Sequence, residues 1–188
     1  MHRSIMLPVL MISLLLTGCG SAAPEQKIEQ QFSAYAAAEE LSFTADITAR
    51  LDDEFFQCTL LCERSEDGTT VEVLAPELIA GVKAQIKDGE ASVEYEDIIL
   101  SVGTAGLDGL QPVSAVPLLM DALKGGHVIR TWTEKDGDTP LLAAQIYAGD
   151  LADVTIWLVA GTRTPGHAEL SQDGAVVISC EIREFKLG

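Results

Sequence analysis

The chain has 188 residues, 47% of them hydrophobic, with 29 acidic side chains against 12 basic ones and a formal net charge of −17. That balance excludes ordinary nucleic-acid binding, which needs clustered Lys and Arg to meet phosphates, and it repels an anionic lipid surface. Acidity of this size also keeps an exported domain soluble.

The first element is an apolar run from Ile5 to Leu16, behind His2 and Arg3. Crossing a bilayer takes roughly 20 apolar residues in a helix, so this run is too short to be a span. A short basic start, an apolar core and small residues at its end describe a secretory signal peptide over residues 1–18. The closing residues Leu16-Thr17-Gly18-Cys19 resemble the lipobox of bacterial lipoproteins. The resemblance implies cleavage before Cys19 and a diacylglyceryl group on its thiol, which would anchor the chain to the membrane from outside the cytoplasm. Gly20 and Ser21 follow, so the aspartate that marks inner-membrane retention in diderm lipoproteins is absent. An outer membrane is therefore the expected address if the envelope has one. Residues 19–26 are small and polar, suited to a lipidated tether, and 27–188 are expected to form a single domain.

From Glu25 to Glu40 helix formers carry Ile28, Phe32 and Tyr35 on one stripe, an amphipathic helix that needs a surface to lie on. The period then changes to two. Leu41, Phe43, Ala45, Ile47, Ala49 and Leu51 alternate with polar residues, and after Asp52-Asp53 the sequence Phe56, Cys58, Leu60, Cys62 returns the same apolar face. A turn at Ser65–Gly68, the strand Thr69–Leu74, a break at Ala75-Pro76, and strands at Val82–Ile86 and Ala91–Tyr95 complete a first meander. The rhythm stops between Gly103 and Gly126, where a short apolar helix is expected near Pro117–Lys124, with proline in its first turn and glycine beyond its end. It resumes in five strands to the C-terminus, separated by Asp136-Gly137-Asp138, Ala148–Asp150, Thr164–Gly166 and Gln172–Gly174. The expected class is α+β, mainly β. Some nine or ten antiparallel strands would form a strongly curved sheet, a half-open barrel covered by an N-terminal helix and a central helical insertion.

Residues able to carry chemistry are sparse. There is no Gly-x-Ser-x-Gly, and beyond the signal the histidines are His127 and His167, both beside turns. The pair Cys180 and His167 is the one nucleophile–base combination worth naming, and it lacks any charge-stabilising motif. No metal-ligand spacing appears, and Gly103-x-x-Gly106-x-x-Gly109 lacks a phosphate-binding context. The expectation is therefore no catalytic residue, no metal and no cofactor. Cys58, Cys62 and Cys180 read as small apolar core residues. The alternative is a disulfide joining Cys180 to Cys58 or Cys62, since the latter two sit about 13 Å apart along one strand. Trp132 and Trp157 read as core or rim residues rather than as a sugar-stacking pair.

Taken together, the lipobox, the N-terminal helix, a meander, an apolar helical insertion and a second meander resemble the LolA/LolB-like fold of lipoprotein carriers and related lipid-binding lipoproteins. The stretch Val71–Leu100, with its Ala75-Pro76 break and Asp88-Gly89 turn, looks like the corresponding part of those proteins. The resemblance implies that Phe43, Ile47, Phe56, Leu60, Val93, Tyr95, Leu119, Ile156 and Ile178 face inward, with the helix around Leu118–Leu123 as plug or lid. Two readings follow for that face. It holds a lipid or the acyl chain of a lipoprotein, or the helices fill it. A second functional expectation is a non-catalytic adaptor that holds an envelope protein, such as a sporulation or germination accessory protein. It would use the outer faces of edge strands near Thr70–Glu72 and Ser179–Arg183.

Overall fold

The fold, taken from a computed structural model, is described over residues 24–51, 54–88, 90–96, 98–104, 112–147 and 152–188. The signal peptide 1–18, Cys19 and most of the tether lie outside the described residues. Eleven strands form one sheet in the order β6-β5-β4-β3-β2-β1-β11-β10-β9-β8-β7, every neighbouring pair antiparallel. The first meander is β1 (Leu41–Leu51), β2 (Glu54–Ser65), β3 (Gly68–Ala75), β4 (Lys83–Lys87), β5 (Glu90–Tyr95) and β6 (Ile98–Thr104). The second is β7 (His127–Asp136), β8 (Thr139–Tyr147), β9 (Asp153–Val159), β10 (Pro165–Gln172) and β11 (Ala175–Leu187). The two join through β1 and β11, so the sheet is curved but not closed, and β6 and β7 are its edges. This is the half-barrel expected from the alternation, with one more strand than expected.

That extra strand is β6, and its sequence Ile98-Ile99-Leu100 breaks the two-residue rhythm because apolar residues stand on both of its faces. Two further differences concern the insertion and the edges. Helix α2 runs from Pro112 to Gly125, so Pro117 lies in its interior rather than in its first turn. One lost backbone hydrogen bond is tolerated there by a helix whose Ala115, Val116, Leu119, Met120, Ala122 and Leu123 are all buried. The segments Thr70–Glu72 and Ser179–Arg183 belong to β3 and β11, which are interior strands, not edges. Sequence order hides this, because β11 finds its place beside β1 at the far end of the chain.

Helix α1 (Pro24–Ala37) starts on proline with Glu25 in its first turn, a combination that suits the positive end of a helix. Ile28 and Tyr35 are fully buried and Phe32 packs against the core, the expected stripe. Tyr35 stands edge-on to Phe32 and to Phe185, and Phe185 stacks on Phe43 of β1. The Tyr35 hydroxyl donates to the Arg163 carbonyl at 2.6 Å, fixing α1 to the loop between β9 and β10. Burial raises the phenol above its ordinary range, so it stays a donor. Tyr35→Phe leaves that carbonyl unpaired and is expected to cost about 1–2 kcal/mol in urea unfolding, with no change in the circular dichroism of the folded state.

Local backbone chemistry sets the turns. At Gly68 the φ is +122°, and an added Cβ would sit 2.4 Å from the Ile86 carbonyl oxygen, so the turn into β3 accepts only glycine. Asp173 and Gly174 both have positive φ, the geometry of a two-residue hairpin turn between β10 and β11. At Gly126 an added Cβ would meet Ile146 at 2.2 Å, which lets the end of α2 cross tightly onto the second meander.

Candidate functional site

Alternation along the strands assigns a face to each residue, and the register carries that face across the sheet. On the concave side Phe43 pairs with Cys62, Cys62 with Val71, Val71 with Ala84, Ala84 with Val93 and Val93 with Leu100. The row is apolar from end to end, but its surroundings change. Phe43, Cys62, Val71 and Ala84 are buried and Val93 is half-buried, whereas Leu100 is 62% exposed. A parallel row behaves alike: Ala45, Leu60 and Val73 are buried, while Tyr95 and its partner Ile98 are 41% and 61% exposed.

The cause is where the helices lie. Helix α2 packs on β1 and β3, while α1 packs on α2, β7 and β8. Arg64 of β2 fixes this seat, reaching Asp121 of α2 at 2.7 Å and the buried Thr69 hydroxyl at 3.0 Å. Lys124 near the end of α2 donates to the Ala38 carbonyl at 2.7 Å and ties the two helices together. The inner face of the central strands is thus occupied by the chain's own Ile28, Tyr35, Val116, Leu119, Met120 and Leu123. Among the described residues, none covers the concave side of β5 and β6 in this way. Its open strip comprises Tyr95, Ile98 and Leu100, and Leu78, in the short 3-10 turn between β3 and β4, is also exposed.

Of the residues expected to face inward, Phe43, Ile47, Leu60, Leu119, Ile156 and Ile178 lie fully inside one continuous core. Phe56 and Val93 pack against its margin. Tyr95 belongs to the open strip. Ile98 and Leu100, which sequence reasoning missed, extend that strip. Their signal was an uncharged apolar triplet beginning two residues after Glu96, with no alternation to assign it a face.

The three internal cysteines are free and buried. Cys58 and Cys180 both pair with Ile47, so β1 runs between them. Two strand spacings separate their Cα atoms by about 10 Å, beyond the reach of a disulfide; the three stand as buried thiols, and the alternative bridge from Cys180 to Cys58 or Cys62 is not formed. Burial pushes the Cys58 thiol up to about 11 and that of Cys180 up to about 12, and raises that of Cys62 well above its ordinary value. All three are un-ionised at neutral pH and poor nucleophiles. In the folded protein they are expected to resist a colorimetric thiol reagent at pH 8 and to react within minutes once urea unfolds the chain. Cys180 and His167 are not a pair either. Cys180 faces the core opposite Ala168, whereas His167 pairs with Glu181 on the convex side.

That convex side carries a second cluster. Trp132, Ala143, Trp157, His167 and Glu181 are successive cross-strand partners from β7 to β11. His167 lies in strand β10, close behind the turn, and its two ring nitrogens contact Glu181 at 2.9 Å and Glu169 at 3.4 Å. Among the described residues no group of His, Cys, Asp and Glu side chains is arranged to hold a metal ion, and no helix is long and apolar enough to cross a membrane.

No protein-family profile and no curated protein sequence matches the chain. Solved structures similar to it include a LolA superfamily protein from Nitrosomonas europaea, at 12% identity over 89% of this chain and 94% of that one, with a TM-score of 0.47. Another is the lipoprotein LppX of Mycobacterium tuberculosis, at 14% identity over 88% and 96%, TM-score 0.47. A third is the GerS lipoprotein in its complex with the CwlD amidase from Clostridioides difficile, at 12% identity over 89% and 97%, TM-score 0.40.

Proposed function

We propose that this chain is a non-enzymatic, membrane-anchored extracytoplasmic protein that holds an apolar ligand along the open strip of β5 and β6. The ligand class is a lipid or the acyl chain of a lipoprotein. The observation that carries this reading is the exposure gradient: one apolar row is sealed by α2 at Phe43 and open to solvent at Leu100. A soluble domain leaves consecutive large apolar residues on an edge strand at a cost in solubility, so their exposure calls for an occupant. An acyl chain buried on all sides gains about 0.8 kcal/mol per methylene, and one laid along an open strip gains about half of that. The site is thus suited to handing a chain on rather than to storing it. Attachment through Cys19 fits a handler that stays at the membrane.

The test is titration of the detergent-free protein with a dansyl-labelled fatty acid. Saturable, blue-shifted emission is expected, and no saturable change would contradict the reading. The anchor has its own test. Cys19→Ala is expected to move the protein from the membrane fraction to the soluble fraction of the cells that produce it, and persistence in the membrane would remove the anchor from the account.

A second reading, an adaptor for an envelope protein, is favoured by one specific contrast. The edge strand β7 carries Arg130, Glu134, Lys135 and Asp136 and is interrupted by a register shift between Val128 and Arg130. Such features guard an edge against strand addition. The β5–β6 ladder also has a register shift, at Ala91/Ser92, so the contrast lies in charge: the edge strand β6 has no charged residue among Ile98–Thr104. A partner's strand could therefore extend the sheet at β6. Strand addition uses backbone groups and tolerates changes at Ile98 and Leu100, whereas acyl binding does not.

A further inference from the structure

The convex side of the second meander is built around two indoles. Trp132 of β7 and Trp157 of β9 lean toward each other over Ala143 of β8, which has no side chain beyond Cβ and is fully buried beneath them. Their rings meet edge-on, at 6.3 Å between centroids and 88° between planes. Both indole N–H groups donate to one carboxylate, that of Glu134. On the other flank, the His167 ring lies 5.0 Å from Trp157 and is held by Glu181 and Glu169. Both indoles remain only half-buried.

This array already receives one cation from its own chain. The Arg130 guanidinium sits 5.0 Å from the Trp132 ring centroid, a distance at which the ring's electron-rich face attracts a positive charge. Trp157 has no such cation among the contacts described, although Glu134 accepts from its indole N–H and Glu169 and Glu181 hold the His167 ring beside it. Three carboxylates thus stand against the single guanidinium of Arg130, on a chain whose net charge is −17. Aromatic rings beside fixed carboxylates favour a ligand that is both planar or compact and positively charged.

We propose that this face docks a basic segment of a protein partner, with an arginine or lysine side chain seated over the adjoining rings of Trp157 and His167, between the carboxylates of Glu134 and Glu181. The site lies on the face opposite the open apolar strip, so it stands or falls independently of lipid binding.

The chain's two tryptophans are both in the array, and tryptophan emission, excited selectively over tyrosine, therefore reports on this site alone. The full chain is titrated with a hexa-arginine peptide at about 0.15 M salt, where diffuse charge attraction is largely screened. A saturable change in emission is expected, weakened about tenfold by Glu181→Gln or Glu134→Gln, which keep both indoles; a factor of ten corresponds to about 1.4 kcal/mol, within the range of a desolvated cation–π contact plus a charged hydrogen bond. Glu181 is exposed on the sheet surface, so Glu181→Gln is expected to melt with the parent and keeps the test valid if Glu134→Gln does not fold. Arg130→Ala, which frees the face of Trp132, is expected to tighten binding. Peptide binding that both glutamine variants leave unchanged would reduce the effect to net charge and overturn the proposal. An absent response, or saturation by a neutral N-acetylglucosamine oligomer instead of the peptide, would overturn it equally.

Discussion

Replacing Ile98 and Leu100 together by aspartate is expected to abolish saturable binding of the dansyl fatty acid while leaving the melting midpoint within a few degrees of the parent. Both side chains are more than 60% exposed, so folding gains little from them and surface substitutions of this kind usually change stability by no more than about 0.5 kcal/mol each. Binding is another matter. Among the described residues the open strip offers an acyl chain Tyr95, Ile98 and Leu100, with half-buried Val93 at its inner end. Two carboxylates in the middle of it must be desolvated by any apolar ligand, at a cost of several kcal/mol that the remaining surface does not offset. The same double variant should leave a strand-adding partner bound, because β6 keeps its backbone edge. A variant that binds the probe normally would move the ligand elsewhere.

Leu119→Ala is expected to do the reverse, costing about 3–5 kcal/mol of unfolding free energy in urea and leaving the open strip untouched. Leu119 is fully buried on α2, in one cluster with Phe43, Leu60, Ile156 and Ile178. Truncation in a filled core loses the transfer free energy of the side chain and leaves a cavity its neighbours do not close, hence a cost in the upper part of the usual range. Were the half-barrel hollow, Leu119 would already face empty space or ligand, and the penalty would fall to about 2 kcal/mol or less. The size of the loss therefore distinguishes a plug from a lid. For a domain whose whole stability is about 5–15 kcal/mol, the larger figure leaves little margin at 37 °C.

Much of the fold was legible because the chain states its faces plainly. Leu41 to Leu51 alternates without a break and forms β1 over that whole span. The stripe of Ile28, Phe32 and Tyr35 placed α1 against the core correctly. Hairpin positions such as Asp173-Gly174 were marked by the residues that tolerate positive φ. What failed was information that lies between strands rather than along them. β6 escaped notice because an edge strand with apolar residues on both faces has no period. The pairing of β1 with β11 cannot be read locally, so β3 and β11 were mistaken for edges, and the strand between Cys58 and Cys180 went unseen. Trp132, Trp157, His167 and Glu181 each alternate onto a wet face, but only the register shows that they stand side by side. For the site, the sequence identified an apolar face and not the boundary of its cover, which depends on how far α2 reaches across the sheet.

The account's central claim is that the inner face is filled and the ligand lies on the wing beyond it. Photo-cross-linking of the full chain with a diazirine-bearing fatty acid, followed by peptide mapping, tests this most directly. Label confined to the segment that carries Tyr95, Ile98 and Leu100 is the result predicted. Label on Phe43, Leu119 or Ile156, inside the half-barrel, would contradict it.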